Sequence, residues 1–158
     1  MDVRAYDADG DRAALWSLKR AFELELGGDE MRAAYASKLT EAYRERYLDW
    51  VDRCVGETPE CVTVADDGGA LVGYAFLLPA SFAMIWDAAV LNEIYVEPDA
   101  RGAGVADRLL ESALDVARDQ SLPMNRVVLD VAPTSDRARS FYVRHGFEPW
   151  GELVAREL

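Results

Sequence analysis

The chain has 158 residues, 51% of them hydrophobic, and sets 17 lysine and arginine residues against 29 aspartate and glutamate for a formal net charge of −12. This length builds one sizeable core, so a single domain over 1–158 is expected. No basic stripe marks a nucleic-acid partner, and no run of 18 apolar residues marks a membrane span.

The elements follow in chain order. Val3-Arg4-Ala5-Tyr6 reads as a short strand. Asp9 or Asp11 caps a helix with Leu15, Leu18 and Phe22 on one face, ended by Gly27-Gly28. A second helix over about 30–54 carries Met31, Tyr35, Leu39, Ala42, Tyr43, Tyr47, Trp50 and Val51 at helical spacing. Strands at about 61–66 and 70–78 are joined by Asp66-Asp67-Gly68-Gly69, a hairpin signal. Residues 79–89 connect to a strand at about 90–97. The helix predicted over 104–118 buries Val105, Leu109, Ala113 and Val116 or Ala117, and turns Asp107, Arg108, Glu111, Asp115 and Arg118 outward. Val127 to Val131 reads as a strand buried on both faces. Pro133-Thr134-Ser135 then opens a short helix that stops at Gly146.

The stretch from Leu91 to Ala106 is the most informative. A buried strand, a turn at Pro98 and a glycine-rich helix start succeed one another. A helix N-terminus presents unpaired N–H groups and the positive end of the dipole. Gly102 and Gly104 remove side chains that would hold an anion away, so a diphosphate is the natural guest. The triphosphatase loop needs G-x-x-x-x-G-K-[ST], and no lysine lies near 104. The dinucleotide fingerprint G-x-G-x-x-G begins at Gly102, but Asp107 stands where its third small residue belongs. The pattern [RQ]-x-x-G-x-[GA] is matched at every fixed position by Arg101-Gly102-Ala103-Gly104-Val105-Ala106.

That pattern resembles the signature of the GNAT superfamily of N-acetyltransferases, which bind acetyl-CoA. Ala138-Arg139-Ser140-Phe141-Tyr142-Val143-Arg144-His145-Gly146-Phe147 resembles the second signature of the same family, A-x-x-F-Y-x-x-x-G-F, in the right order and at the right separation. The resemblance covers about 91–150. It implies the GNAT (acyl-CoA N-acyltransferase) fold, an α/β domain with a mixed central sheet in the order β-α-α-β-β-β-α-β-α-β. It further implies direct transfer of acetyl from acetyl-CoA, as co-substrate, to a primary amine of a small molecule or peptide. A non-catalytic module that senses acyl-CoA is the alternative of a different class. A nicotinamide-dependent enzyme is a more remote one, opposed by Asp107 and the lack of repeated βαβ units.

By resemblance, backbone groups of Ile94, Tyr95 and Val96 hold the pantetheine arm, and an N–H near Ile94 or Tyr95 polarises the thioester carbonyl. The N–H groups of Gly102, Ala103, Gly104, Val105 and Ala106, with the Arg101 side chain, hold the diphosphate. Ser135 stands where many relatives carry an asparagine that bonds the coenzyme arm; a serine makes one such bond with less reach. Tyr142 is the candidate general acid, its alternative being a packed member of one apolar face with Ala138, Phe141 and His145. Glu93 is the candidate general base, set by alternation on the face of Leu91 and Tyr95 among apolar neighbours; otherwise it attracts the substrate or faces solvent. Glu97, Asp99 and Asp130 read as turn or solvated acids.

The acceptor wall is expected from about 22–32 and 79–90, with Phe22, Glu23, Glu25, Asp29, Glu30, Tyr35, Phe82, Trp86 and Asp87. Acids with aromatics suit a cationic amine; core aromatics and surface acids are the plainer account. A polyamine, a sugar amine, an amino acid, a peptide N-terminus and a lysine side chain all stay open. Homodimers are common among relatives, although no residue here marks an interface.

Cys54 and Cys61 read as reduced thiols with no part in a direct transfer. With His145 the lone histidine, no metal site is expected. Met1-Asp2-Val3-Arg4 lacks an export pattern, so a cytoplasmic protein is expected. Only Lys19 and Lys38 are lysines. An acidic chain that favours arginine suits a salt-rich cytoplasm, where a Debye length of ~3 Å at 1 M screens self-repulsion. The chain is therefore expected to be halophilic, melting at a higher temperature in multimolar KCl than in dilute buffer. A melt indifferent to KCl removes that expectation.

Overall fold

The computed structural model describes residues 1–26, 28–132 and 134–158. Five strands form one mixed sheet in their sequence order: β1 (Asp2–Ala5), β2 (Val62–Asp67), β3 (Ala70–Leu77), β4 (Ala89–Val96) and β5 (Val127–Val128). The first four run antiparallel, and β5 joins β4 in parallel. The β2–β3 hairpin turns on Gly68 and Gly69, whose φ of 66° and 95° are open to glycine at little cost. The Gly69 N–H donates to Asp66 Oδ1 at 2.7 Å.

Three helices precede β2: α1 (Arg12–Glu25), α2 (Gly28–Lys38) and α3 (Glu41–Glu57). Two more follow β4: α4 (Val105–Arg118) and α5 (Asp136–Arg144). Leu15 and Leu18 of α1 and Tyr47, Leu48 and Val51 of α3 pack on Val62, Val64, Tyr74 and Phe76. On the other face, Val105, Leu109, Leu110 and Ala113 of α4 pack on Ala65, Ala75, Leu77 and Leu91. The sheet is thus sandwiched between two helical layers, each apolar on its inner side. Among the described residues, no helix is long and apolar enough to cross a membrane.

The α/β mixed sheet agrees with the expected fold, while several details depart from it. The segment expected as one helix over 30–54 is two. Thr40 is extended (ψ 168°) and its hydroxyl accepts from the Tyr43 N–H at 3.2 Å, which starts α3 afresh. Upstream of that cap, α2 buries none of its residues and Met31 is 45% exposed. Of the two glycines expected to end α1, Gly28 opens α2 and Gly27 lies outside the described residues. Asp11 is the N-cap of α1, but its carboxylate serves Arg4 and the Asp7 N–H instead of the helix.

At the far edge, β5 is two half-buried residues, and among the described residues no strand follows α5. Pro149 lacks a ladder donor and Gly151 adds no packing. Val127 and Val128 therefore border the sheet where a strand buried on both faces was expected.

The third departure lies in β4. Phe76 stands opposite Glu93 and Leu77 opposite Leu91, so Asn92 faces no partner. This bulge shifts the alternation by one. Glu93 and Tyr95 point to the α1–α3 side, whereas Leu91 points to the α4 side with Ala89. Leu91 and Glu93, expected on one face, are on opposite faces.

Strands β3 and β4 approach closely at Gly73, where an added Cβ would lie 2.8 Å from the Tyr95 carbonyl oxygen and 3.2 Å from Leu109 Cδ1. Gly73→Ala is expected to destabilise the fold by about 1–3 kcal/mol, read as a lowered urea midpoint. An unchanged midpoint would mean the two strands separate freely there.

Candidate active site

The bulge delivers Glu93 into a buried polar cluster, not the apolar surroundings its strand suggested. Its side chain is 3% exposed, and Oε2 accepts from the Tyr74 phenol at 2.5 Å and the Tyr47 phenol at 3.3 Å. Lys19 Nζ lies 3.2 Å from the same oxygen and 2.5 Å from Glu23 Oε1. Burial would pull the Lys19 ammonium down, but Glu93 and Glu23 outweigh it and hold its pKa above the ordinary lysine value. Glu23 is pushed up by burial, yet Lys19 and Lys38 keep it below the usual carboxylate range. Lys38 Nζ sits 2.6 Å from Glu23 Oε2 as an ion pair, although that oxygen lacks a hydrogen bond of good geometry. Burial and Glu93 drive the phenols of Tyr47 and Tyr74 well above their ordinary pKa. Glu93 Oε1 accepts only from the Asn92 amide, at 3.1 Å, and so keeps acceptor capacity.

Next to this cluster the sheet opens. β5 pairs with β4 only at Ala89–Val127 and Val90–Val128. Beyond Val90, the side of β4 turned towards β5 has no ladder partner among the described residues. The opening contains Ile94, Tyr95 and Val96 and leads to the glycine loop. Gly102 (φ 81°) and Gly104 (φ 77°) are both left-handed, and nothing lies within 4 Å of either Cβ position. Gly104 is the N-cap of α4, and the first helical bond runs from the Arg108 N–H to its carbonyl at 3.2 Å. Among the described residues, the N–H groups of 102–106 find no backbone acceptor outside the helix, which leaves an anion cradle. The Arg101 side chain is already engaged. Its Nε donates to the Val96 carbonyl at 2.8 Å, and its Nη2 lies 2.9 and 3.0 Å from the two Glu25 oxygens.

Tyr142 is held by the end of α5. The Phe147 N–H donates to the Tyr142 carbonyl and the Gly146 N–H to the Val143 carbonyl, both at 3.0 Å. With Gly146 at φ 83° this is a Schellman stop, and the Phe147 ring packs on the Tyr142 ring at 5.6 Å. The phenol hydroxyl has no hydrogen-bond partner among the described residues. Burial, then the charge of Asp130, pushes its pKa up to about 12. Asp107, expected to face solvent, lies 2.7 Å from Arg144 and 2.8 Å from His145 Nε2, and so ties α5 to α4. Burial raises its carboxyl, and the hydrogen bonds from Arg144 and His145 outweigh that and lower it. Ser135 is the N-cap of α5, yet its hydroxyl caps nothing; Pro133 lies outside the described residues. Tyr142 packs with the α4-side cluster and Glu93 sits with the α1–α3 side, so the two candidates occupy opposite faces of the sheet.

A cleft of about 340 Å³ reaches the bulge. Lys19, Tyr43, Arg46, Tyr47 and Trp50 line it from α1 and α3, and Asn92 and Glu93 from β4. None of the nine residues expected to form the acceptor wall lines it. Phe82 and Trp86 lie on an exposed turn instead, 37% and 49% exposed. One signal was available: a lysine on the apolar face of α1, one turn before Glu23, in a chain with two lysines. Cys54 and Cys61 are buried and free, and burial pushes their thiols up to about 11 and about 12. Neither has the lowered pKa that a nucleophile needs.

Residues 23–147 match the model of the acetyltransferase (GNAT) family. An uncharacterized N-acetyltransferase, YhfO of Bacillus subtilis (strain 168), is 28% identical over 126 residues, 73% of this chain and 83% of that protein. The PaiA N-acetyltransferase of Thermoplasma acidophilum, solved in complex with coenzyme A, superposes with a TM-score of 0.72 at 20% identity, over 93% of this chain and 89% of that one. A ribosomal-protein-alanine N-acetyltransferase of Brucella melitensis gives 0.73 at 21% identity, over 96% and 86%.

Replacing Lys19 by methionine strands two buried carboxylates. Lys19→Met is expected to lose about 3–5 kcal/mol of stability in denaturant unfolding. A loss below about 1 kcal/mol would mean that the phenols and Lys38 carry the cluster alone.

Proposed function

The chain belongs to the acetyltransferase (GNAT) family, and on that premise we propose that it transfers the acetyl group of acetyl-CoA directly to a primary amine of a small molecule or peptide. The coenzyme supplies the acetyl group as an activated thioester. One observation supports the reading above the rest: β4 loses its β5 partner after Val90, and that stretch of β4 runs from the cleft residues Asn92 and Glu93 to the loop of uncommitted N–H groups.

In this reading the backbone of Ile94, Tyr95 and Val96 receives the pantetheine arm. The N–H groups of Gly102, Ala103, Gly104, Val105 and Ala106 take the diphosphate. Arg101 joins them once Glu25 gives way, exchanging one anion for another. The Ser135 hydroxyl, unused as a helix cap, is free for the arm.

Glu93 Oε1 takes the proton of the acceptor ammonium, while Lys19, Tyr47 and Tyr74 hold the other oxygen in place. Tyr142, whose pKa of about 12 keeps it protonated at pH 7–9, gives the leaving thiolate its proton. The buried, uncharged thiols fit a transfer with no enzyme-bound acetyl. The charge of −12 and the two lysines support a salt-rich cytoplasm as the setting.

Release of CoA from acetyl-CoA, followed in multimolar KCl against pooled amines, amino acids and peptides, tests this function. Tyr142→Phe is expected to slow turnover by roughly 10²–10⁴-fold with coenzyme affinity nearly unchanged. An unchanged rate makes the tyrosine a packing residue. Silence in every pool, from folded protein that binds acetyl-CoA, overturns the transfer to these acceptors.

A further inference from the structure

The charges around the cleft are unevenly used. At its floor, Glu93 Oε2 is bound by Lys19, Tyr47 and Tyr74, and Glu23 is divided between Lys19 and Lys38. Only Glu93 Oε1 retains room for an ammonium, so the cleft holds one amine and offers no second carboxylate to another. Arg46 of α3 also lines the cleft, and it pairs with no carboxylate among the described residues. Seven arginines of the chain, Arg4, Arg12, Arg44, Arg101, Arg118, Arg137 and Arg144, have acidic partners, and of the two cations that line the cleft only Lys19 does. The reason is local. At helical spacing from Arg46 stand Ala42, Tyr43, Asp49 and Trp50. The one acid among them, Asp49, is held by Arg12 at 2.9 Å. The cleft therefore has a guanidinium without an acid, a carboxylate with one open oxygen, and the rings of Tyr43, Tyr47 and Trp50 as further walls.

We infer that the acceptor is an amino acid with an apolar or aromatic side chain, its carboxylate taken by Arg46 and its amine by Glu93. This deepens the transferase function proposed above and rests on it for the fate of the amine. An arginine fork meets a carboxylate through two parallel N–H bonds, contacts that direct hydrogen bonding keeps when salt screens longer-range charge. A polyamine would set its second ammonium against Arg46 with no acid to receive it.

Matched probes decide the matter. Alanine, leucine, phenylalanine and tryptophan are compared with ethylamine, isoamylamine, phenethylamine and tryptamine, and spermidine is added. Binding of each to the protein with CoA is measured by calorimetry in KCl, alongside CoA release from acetyl-CoA. At least one amino acid is expected to bind ten-fold or more tightly than its decarboxylated amine. Arg46→Met should erase that margin by weakening the acid alone, and Arg46→Lys should keep part of it. Equal or tighter binding of the amines or spermidine, a margin that survives Arg46→Met, or no binding by any of the four acids overturns the inference. A binding margin lost in Arg46→Met, without CoA release, sustains the carboxylate handle and counts against the transferase function instead.

Discussion

One ammonium, Lys19 Nζ, stands between carboxylates from two elements, Glu23 on its own helix and Glu93 on the sheet. Burying three charges is costly, and the cost is offset only if the hydrogen bonds close around them. They largely do: two phenols hold one oxygen of Glu93 and an asparagine amide reaches the other, and the second lysine reaches Glu23 from the end of α2. Both lysines of an otherwise arginine-based chain therefore converge on one carboxylate. A compact ammonium with three donors can serve separate acceptors inside a narrow space, where a planar guanidinium would impose its own plane. Helices α1 and α3 must be seated together on β4 for this arrangement to exist, so the cleft and the helical layer over it are one object.

The glycine-loop side depends on the sheet. The bulge at Asn92 and the loss of β5 after Val90 occur within three residues of each other, and together they turn Glu93 to one face while the strand edge opens. The close approach at Gly73 holds β3 against β4 through the same region, so that the opening forms on the β5 side alone. On the far face, the pairing of Asp107 with Arg144 and His145 fixes α5 to α4 and thereby sets where Tyr142 stands. A sequence feature that read as a mismatch to dinucleotide binding is a docking contact here.

What was legible in the sequence was local. The left-handed glycines at 102, 104 and 146, the turn at Asp66 to Gly69 and the amphipathic stripe of α4 act through residues a few positions apart, and a linear pattern records them directly. The two motifs identified the fold class and the loop because their chemistry is backbone chemistry at helix ends. Local chemistry also decides one boundary: Thr40 is a good N-cap within a run of helical spacing, and it divides that run into two helices.

The remaining errors share a different cause. The phase of β4 on either side of Asn92, the shortness of β5 and the missing closing strand are set by pairing with residues far away in the chain. So is the cleft, where Lys19, Arg46 and Glu93 meet although 74 positions separate the first from the last. The sequence by itself determined the glycine-rich start of α4, the helix stop that carries Tyr142 and the succession of helices and strands, because each follows from short-range sterics and periodicity, while the plan of the sheet is what the resemblance implies. Only the tertiary structure decided that Glu93 is wired to Lys19, that Arg101 rests on Glu25 and that Arg46 has no acidic partner among the described residues. Ion pairing inside a fold depends on which charges burial brings within a few ångströms, and no spacing along the chain specifies that.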